Sequence, residues 1–186
     1  MKRKPAIIVH DWETTGLVKH PRALARSQPR AIEFGAVVLD ADGEIVSEHS
    51  FLINPQCRIE PIITKITGLT DDDLAAEPTF SEIFPTIRDL FSSCRAVVAH
   101  NLPFDEQIYR SECERLGVEF ERSGFPEIRM CSAQEFRETS GRNPPKLLDL
   151  YARIMGKPLE QTHRALDDVK ALVEIIQKEK LACYLS

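Results

Sequence analysis

An apolar segment that ends in two acidic residues constrains this chain more than any other feature. Residues 6–9 read Ala-Ile-Ile-Val, and Asp11, Trp12 and Glu13 follow before a turn signal at Gly16. Successive side chains on a strand point to opposite faces, so Asp11 and Glu13 share a face. Two adjacent carboxylates repel each other unless a cation lies between them. The segment favours a buried strand that offers oxygen ligands to a hard divalent metal, with two solvated surface acids as the alternative.

Length and composition narrow the class of protein. At 186 residues, of which 42% are hydrophobic and 28% charged, residues 1–186 are expected to form a single domain with a real core. The net charge of −5 argues against tight, purely electrostatic nucleic-acid binding, but a nuclease stays possible because metal ions would neutralise some of the acids. Five scattered cysteines make a zinc or disulfide framework unlikely, and no apolar run is long enough to span a membrane. We expect a cytoplasmic protein, or a nuclear one in a cell with a nucleus.

The order of predicted elements indicates a mixed sheet covered by helices. After the first strand, strands are predicted at 31–39, 44–53, 95–100 and 128–132, with a hairpin turn at 40–43. Helices are predicted at 59–66, 71–76, 80–91, from 101–105 to about 117, and at 132–138, 146–155 and 164–180. A meander followed by alternating strands and helices is typical of an α/β sheet with helices packed on it.

A basic loop follows the two acidic residues. Residues 17–30 contain Lys19, His20, Arg22, Arg26 and Arg30 and are interrupted by two prolines. A run of charges is most often a solvated surface loop. Its position beside Asp11 and Glu13 equally favours a segment that contacts phosphate groups, so both interpretations stay open.

Two further acidic residues and a histidine occur at or just before the starts of predicted helices. Asp168 lies on or beside the apolar face of the last helix, where a carboxylate is costly unless it is paired or bound to a ligand. Asp105 lies in the first turn of a helix that follows a buried strand, where the helix dipole alone could explain it. His163 precedes Asp168 by five residues, and a capping or surface histidine is its plain alternative.

Three motifs, in this order along the chain, resemble the DnaQ-like, DEDDh superfamily of 3′–5′ exonucleases. They are Asp11-Trp12-Glu13-Thr14-Thr15-Gly16-Leu17, His100-Asn101-x-x-Phe104-Asp105 and His163-x-Ala165-x-x-Asp168. Residues 32–37 resemble the second strand of that superfamily, and residues 66–70 resemble a loop that often covers the substrate end. The resemblance extends over about residues 5–180.

The resemblance implies a ribonuclease-H-like α/β fold with a five-stranded mixed sheet flanked by helices. By motif position, Asp11, Glu13, Asp105 and Asp168 would hold two Mg²⁺ or Mn²⁺ ions. His163 would act as the general base. Trp12 is bulkier than the resemblance leads us to expect, but its side chain should point away from the metals.

The resemblance also implies a substrate and partners. Thr14, Gly16 and Leu17 match positions that bind the terminal nucleotide, and the expected neighbours are Ile66, Thr67, Asn101 and Phe104. The implied activity is removal of nucleoside monophosphates from the 3′ ends of single-stranded DNA or RNA, with a DNA polymerase as a possible partner. The alternatives are an RNA-processing exoribonuclease and a non-catalytic module that docks on a polymerase or nucleic acid.

Overall fold

One five-stranded mixed sheet organises the computed structural model, which describes residues 4–20, 23–137, 143–160 and 163–185. The strands are β1 (Ile7–Thr14), β2 (Ala31–Leu39), β3 (Ile45–Leu52), β4 (Ala96–Ala99) and β5 (Ile128–Cys131). They lie in the order β3-β2-β1-β4-β5. β2 pairs antiparallel with β1 and β3, whereas β4 pairs parallel with β1 and β5. The predicted meander and the five-stranded mixed sheet are therefore confirmed.

Helices occupy every predicted helical region, with boundaries that differ by a few residues. They are α1 (Pro61–Thr67), α2 (Asp71–Ala75), α3 (Phe80–Ser92), α4 (Leu102–Arg115), α5 (Ser132–Glu135), α6 (Leu147–Met155) and α7 (Ala165–Lys178). Short 3-10 turns occur at Ala25–Ser27, Phe120–Arg122 and Leu181–Tyr184. α5 ends at Glu135, so the helix predicted at 132–138 was wrong at residues 136 and 137; residue 138 lies outside the described residues, as does Arg22 of the basic loop.

The ends of the first two helices have clear local causes. Gly68 ends α1 with a backbone φ of 75°, a left-handed conformation that glycine adopts without strain. Thr70 then caps α2 through a capping box with Asp73. Thr67 is still helical, so the segment expected as a loop at 66–70 begins as the last turn of α1.

The two faces of the sheet carry different cores. On one face, α3 and α4 pack against an aromatic cluster that includes Trp12, Phe34, Phe91 and Tyr109. On the other face, α6 and α7 pack against aliphatic residues of β1, β2 and β4. Trp12 is 3% exposed and its ring centroid lies 4.3 Å from that of Phe34. Its side chain therefore lies in the core on the face away from Asp11, as expected.

A close helix–sheet approach at Gly35 fixes where α7 begins. A Cβ atom added to Gly35 would clash with the backbone nitrogen of Leu166, so only glycine fits there. Gly35 is also the β2 partner of Asp11 in the sheet. The first turn of α7 is thus placed beside the end of β1. None of the helices in the described ranges is long and apolar enough to cross a membrane.

Candidate active site

Three carboxylates from the two ends of the chain meet at one edge of the sheet. Asp11 and Glu13 come from the end of β1, and Asp168 comes from the first turn of α7. One oxygen from each of the three lies within 4.8 Å of the other two. The strand alternation explains why Asp11 and Glu13 share a face, and the close contact at Gly35 brings Asp168 to them. This trio, which we call the carboxylate cluster, has the oxygen donors that hard divalent cations prefer.

The electrostatics of the carboxylate cluster show why it needs a cation. Burial, with Asp168 and Glu33 nearby, raises the pKa of Asp11 from 3.8 to about 7. Burial and the neighbouring Asp11 and Asp168 raise the pKa of Glu13 from 4.5 to about 8. Near neutral pH, the cluster thus holds protons in place of the positive charge that would otherwise compensate it. A divalent cation would displace those protons.

Asp105, at the first turn of α4, faces the same region. It is 2% exposed, and burial together with the charge of Asp11 raises the pKa of its carboxyl well above the usual range. Its Oδ1 atom is buried and accepts no hydrogen bond from the described residues. A buried oxygen without a partner is costly, and a metal ion would supply one. Since α4 follows β4, which runs parallel to β1, Asp105 starts from the same edge of the sheet.

The raised pKa values predict an unusual pH dependence of stability. Asp11 and Glu13 bind protons more tightly in the folded than in the unfolded chain, so their contribution is fully present below about pH 4. It is lost as the pH rises through the folded-state values of about 7 and about 8. We expect the Tm of metal-free protein in EDTA to fall across this range, and added Mn²⁺ to reverse the fall most strongly at the alkaline end. Thermal unfolding at several pH values measures this, and a Tm that does not respond to Mn²⁺ would contradict it.

A cleft of about 810 Å³ opens beside the carboxylate cluster. Asp11, Glu13 and Asp168 lie in its lining. Of the residues expected to contact substrate, six lie there too: Thr14, Gly16, Leu17, Ile66, Thr67 and Phe104. The seventh, Asn101, lines an adjoining cavity with Phe104, Asp105, Lys146 and Leu148, and this cavity shares Asp11 and Asp168 with the cleft. The structure therefore brings the expected contact residues together around the carboxylates.

The walls of the cleft combine hydroxyl groups that donate hydrogen bonds to the backbone with exposed apolar side chains. Thr14 Oγ1 donates to the carbonyl of Gly16 at 2.6 Å, and Thr67 Oγ1 donates to that of Ile63 at 3.0 Å. Both hydroxyls thus use their proton within the protein. Leu17 is 84% exposed and Ile66 44% exposed. A cleft with solvent-exposed apolar side chains beside carboxylates that could hold cations suits a ligand with an apolar part and a phosphate group bound through those cations, such as a nucleotide.

His163 lies outside this cluster of lining residues. It precedes α7 by two residues, is half-buried and adopts a left-handed backbone conformation with φ of 52°. Neither the cleft nor the adjoining cavity includes it in the lining. The structure therefore places His163 near the carboxylate cluster along the chain without bringing it into that cluster. Its expected role as general base stays a prediction.

Sequence reasoning missed an ion pair that supports the site. Glu33, 1% exposed and the third residue of β2, accepts hydrogen bonds from Arg164 Nε at 3.0 Å and Nη2 at 2.9 Å. Arg164 is the residue that precedes α7 and is adjacent to His163. This pair ties the start of α7 to the sheet. Burial and the nearby acids, Glu33 among them, raise the pKa of Glu13, and the charge of Arg164 offsets a part of that rise. A charged residue inside an otherwise apolar nine-residue strand was the available signal.

Comparisons with known proteins agree with this geometry. Residues 8–176 match the exonuclease family of the RNase T type. The epsilon subunit of DNA polymerase III from Treponema pallidum is 32% identical over 173 residues, which cover 91% of this chain and 74% of the subunit. A PolC-type DNA polymerase III from Clostridium perfringens is 30% identical over 180 residues, 91% of this chain but only 11% of the polymerase.

Solved structures show the same fold. A structure of exonuclease I superposes with a TM-score of 0.76 at 20% identity, covering 96% of this chain and 41% of exonuclease I. Exonuclease X, in complex with 5′-overhanging duplex DNA, superposes with a TM-score of 0.64 at 21% identity, covering 96% of both chains. The chain thus spans less than half of exonuclease I and a small part of the polymerase. From the family match and the epsilon relative, we conclude that this protein belongs to the DnaQ-like exonucleases of the RNase T family.

Proposed function

We propose that this chain is a metal-dependent 3′–5′ exonuclease that releases nucleoside monophosphates from single-stranded DNA. The observation that carries the proposal is the carboxylate cluster, with its oxygens within 4.8 Å of one another and with Asp105 at the same edge. Such a cluster would repel a phosphodiester unless cations lie between them. The acids and the substrate therefore require the same positive charge.

Each residue has a role in this proposal. Two Mg²⁺ or Mn²⁺ ions, held by Asp11, Glu13, Asp105 and Asp168, would activate a water molecule and stabilise the departing 3′ oxygen. His163 would accept the proton of the attacking water as general base.

The apolar wall would hold the terminal nucleotide. Leu17 and Ile66 offer exposed side chains to a base, and Phe104 lies between the cleft and the adjoining cavity. Thr14, Gly16, Thr67 and Asn101 complete the proposed contacts. The backbone of Gly16 has open space where a Cβ would lie, which leaves room for close approach of a ligand.

DNA is the proposed substrate because of what the relatives are. The epsilon subunit and the PolC-type protein are named as parts of DNA polymerase III, and a structure of E. coli exonuclease I holds a dA16 oligonucleotide. A polymerase partner for this chain is proposed on the same ground. The second candidate function is that of an exoribonuclease, which would recognise the 2′-hydroxyl at the end of an RNA strand.

A labelled-strand assay tests the function directly. With Mg²⁺ present, a 5′-labelled DNA single strand should yield a ladder of products that shorten one nucleotide at a time, and a 3′-labelled strand should release labelled mononucleotide at once. EDTA should stop both. Cleavage rates of the same sequence as single-stranded RNA and as a duplex rank the substrates. Faster cleavage of RNA than of DNA would favour the exoribonuclease. Internal cuts, loss from the 5′ end, or strand binding without any cleavage would contradict the proposal.

A further inference from the structure

Hydrogen bonds hold the described residues of the basic loop at 17–30 in place. At its base, the amide of Thr15 donates to the carbonyl of Arg30 at 2.9 Å, and the amide of Arg30 donates to Thr15 Oγ1 at 2.9 Å. Inside it, the side chain of Gln28 accepts from the amide of Lys19 at 2.9 Å and donates to the carbonyl of His20 at 3.0 Å. Gln28 is 5% exposed, so its amide group is part of a small buried framework.

One arginine from α4 holds this framework from outside. Arg115 Nη2 lies 2.6 Å from the carbonyl oxygen of Ala25, 2.8 Å from that of Gln28 and 3.2 Å from that of Pro29. Its Nη1 lies 2.8 Å from Glu112, whose Oε1 also accepts the amide of Ala31 at 3.0 Å. Glu112 is buried at 3% exposure. A guanidinium is a planar group with five donors, so one side chain can hold several carbonyls and one carboxylate together.

The held loop forms one wall of the cleft. Its residues Leu17, Lys19, Ser27, Gln28 and Pro29 lie in the same lining as Asp11 and Asp168, and the first helix forms part of that lining as well. Lys19 and Arg26 are exposed on this loop and form no ion pair with any residue in the described ranges. Lys19 therefore brings a positive charge that no described residue pairs with into the cleft lining, and Arg26 adds a second one on the same loop, next to the lining residue Ser27.

We propose that residues 17–20 and 23–30 form a fixed wall that binds the sugar–phosphate backbone of the single strand behind its 3′ end, with Lys19 and Arg26 as phosphate contacts and Arg115 as the positioning residue. The proposal rests on the proposed function and names the part of the substrate that this wall recognises. Fixing the wall in advance means that binding a flexible strand does not also have to order the loop. Two cations beyond the acidic centre also offset the repulsion between a negatively charged protein and a negatively charged strand.

Neutralising the two wall cations tests the binding role. The variant K19Q/R26Q should raise KM for a strand of about 15 nucleotides by ~10-fold and leave kcat nearly unchanged, because only contacts away from the reacting phosphate are lost. The slope of log(kcat/KM) against log salt should become less steep by about 1.4, the value for two contacts to a single strand. The matched control R95Q/K178Q removes one Arg and one Lys that are exposed at the opposite end of the sheet. Equal behaviour of the two double variants overturns the proposal.

A conservative change tests the positioning residue. Arg115→Lys keeps the positive charge but has one nitrogen in place of Nη1 and Nη2, so it cannot contact Glu112 and the loop carbonyls at the same time. Hydrogen exchange should quicken at the amides of Lys19 and Arg30, and KM should rise as in K19Q/R26Q while kcat and Mn²⁺ affinity stay near wild type. Faster exchange with unchanged KM would show that the wall need not be fixed, and would overturn the role of Arg115.

Failure of the wall and failure of the proposed function are distinguishable. Fluorescence anisotropy of a labelled DNA single strand in EDTA measures binding without cleavage. If wild type cleaves no strand, the proposed function fails, and the wall then depends on this binding alone. Weaker binding by K19Q/R26Q than by R95Q/K178Q supports the wall, and equal binding overturns it.

Discussion

Asp11→Asn is expected to abolish hydrolysis and, in the absence of metal, to make the protein more stable. Asp11 is central to the carboxylate cluster, and burial together with two neighbouring carboxylates raises its pKa to about 7. Asparagine keeps the size of the side chain and removes the charge that the other acids repel. We expect kcat to fall by ~10³-fold or more, because a carboxylate ligand of the proposed cations is lost. The Tm in EDTA above neutral pH should rise by several degrees.

The same variant should lose its thermal response to cations. Wild type gains stability from Mn²⁺ because the ion replaces protons in the folded state only. With Asp11→Asn, added Mn²⁺ should shift the Tm little, and calorimetry should show weaker binding. The matched control is Asp42→Asn, an exposed aspartate in the turn between β2 and β3, far from the cluster. Loss of activity together with loss of stability would instead mean that Asp11 supports the fold, and retained activity would contradict its place in the active site.

A gain in stability from removing a functional residue has a physical explanation. Like charges held close together in a partly dry site cost free energy that the rest of the fold must offset. Functional sites commonly carry such a cost in stability, and the carboxylate cluster therefore destabilises the protein in the absence of a bound cation. The buried, unpartnered Oδ1 of Asp105 belongs to the same strained set.

Many of the strands and helices, and the position of Asp168, could be predicted because they depend on short-range patterns of apolar, polar and turn-forming residues. The apolar run before Asp11 predicted β1, and the turn at residues 40–43 predicted the hairpin between β2 and β3. Helical periodicity predicted α3 and α7 to within two residues of their observed ends. Asp168 was identified because a carboxylate near an apolar helix face needs a partner, and it does lie with Asp11 and Glu13.

What could not be predicted depends on contacts between distant side chains and backbone atoms. Arg115 binds the carbonyl of Ala25, 90 residues earlier, and Arg164 binds Glu33, 131 residues earlier. Such contacts produce no periodic pattern in the sequence, because the residues next to an arginine do not show which distant atoms it contacts. The sequence therefore allows two interpretations of the loop at 17–30, although the structure reveals a framework among its described residues.

Replacing His163 should separate turnover from metal binding. The pair of Glu33 and Arg164 anchors the start of α7 independently of the imidazole, so Asp168 should keep its place when His163 is changed. Loss of a general base typically costs ~10²–10⁴-fold in rate. We expect His163→Ala and His163→Asn to lower kcat within that range while Mn²⁺ titration by calorimetry remains close to wild type. Added imidazole should restore part of the lost rate in His163→Ala.

Two variants separate this role from backbone strain. His163 has φ of 52°, a conformation that asparagine tolerates better than alanine, so the asparagine variant should be the more stable of the two. Gln56 has φ of 56° at an exposed position outside the cleft lining, and Gln56→Asn, which relieves backbone strain there, should raise the Tm without changing kcat. If His163→Asn loses Mn²⁺ binding together with turnover, the imidazole supports the cation site and is not the base. If it keeps full kcat, the water that attacks the phosphate must lose its proton to another group.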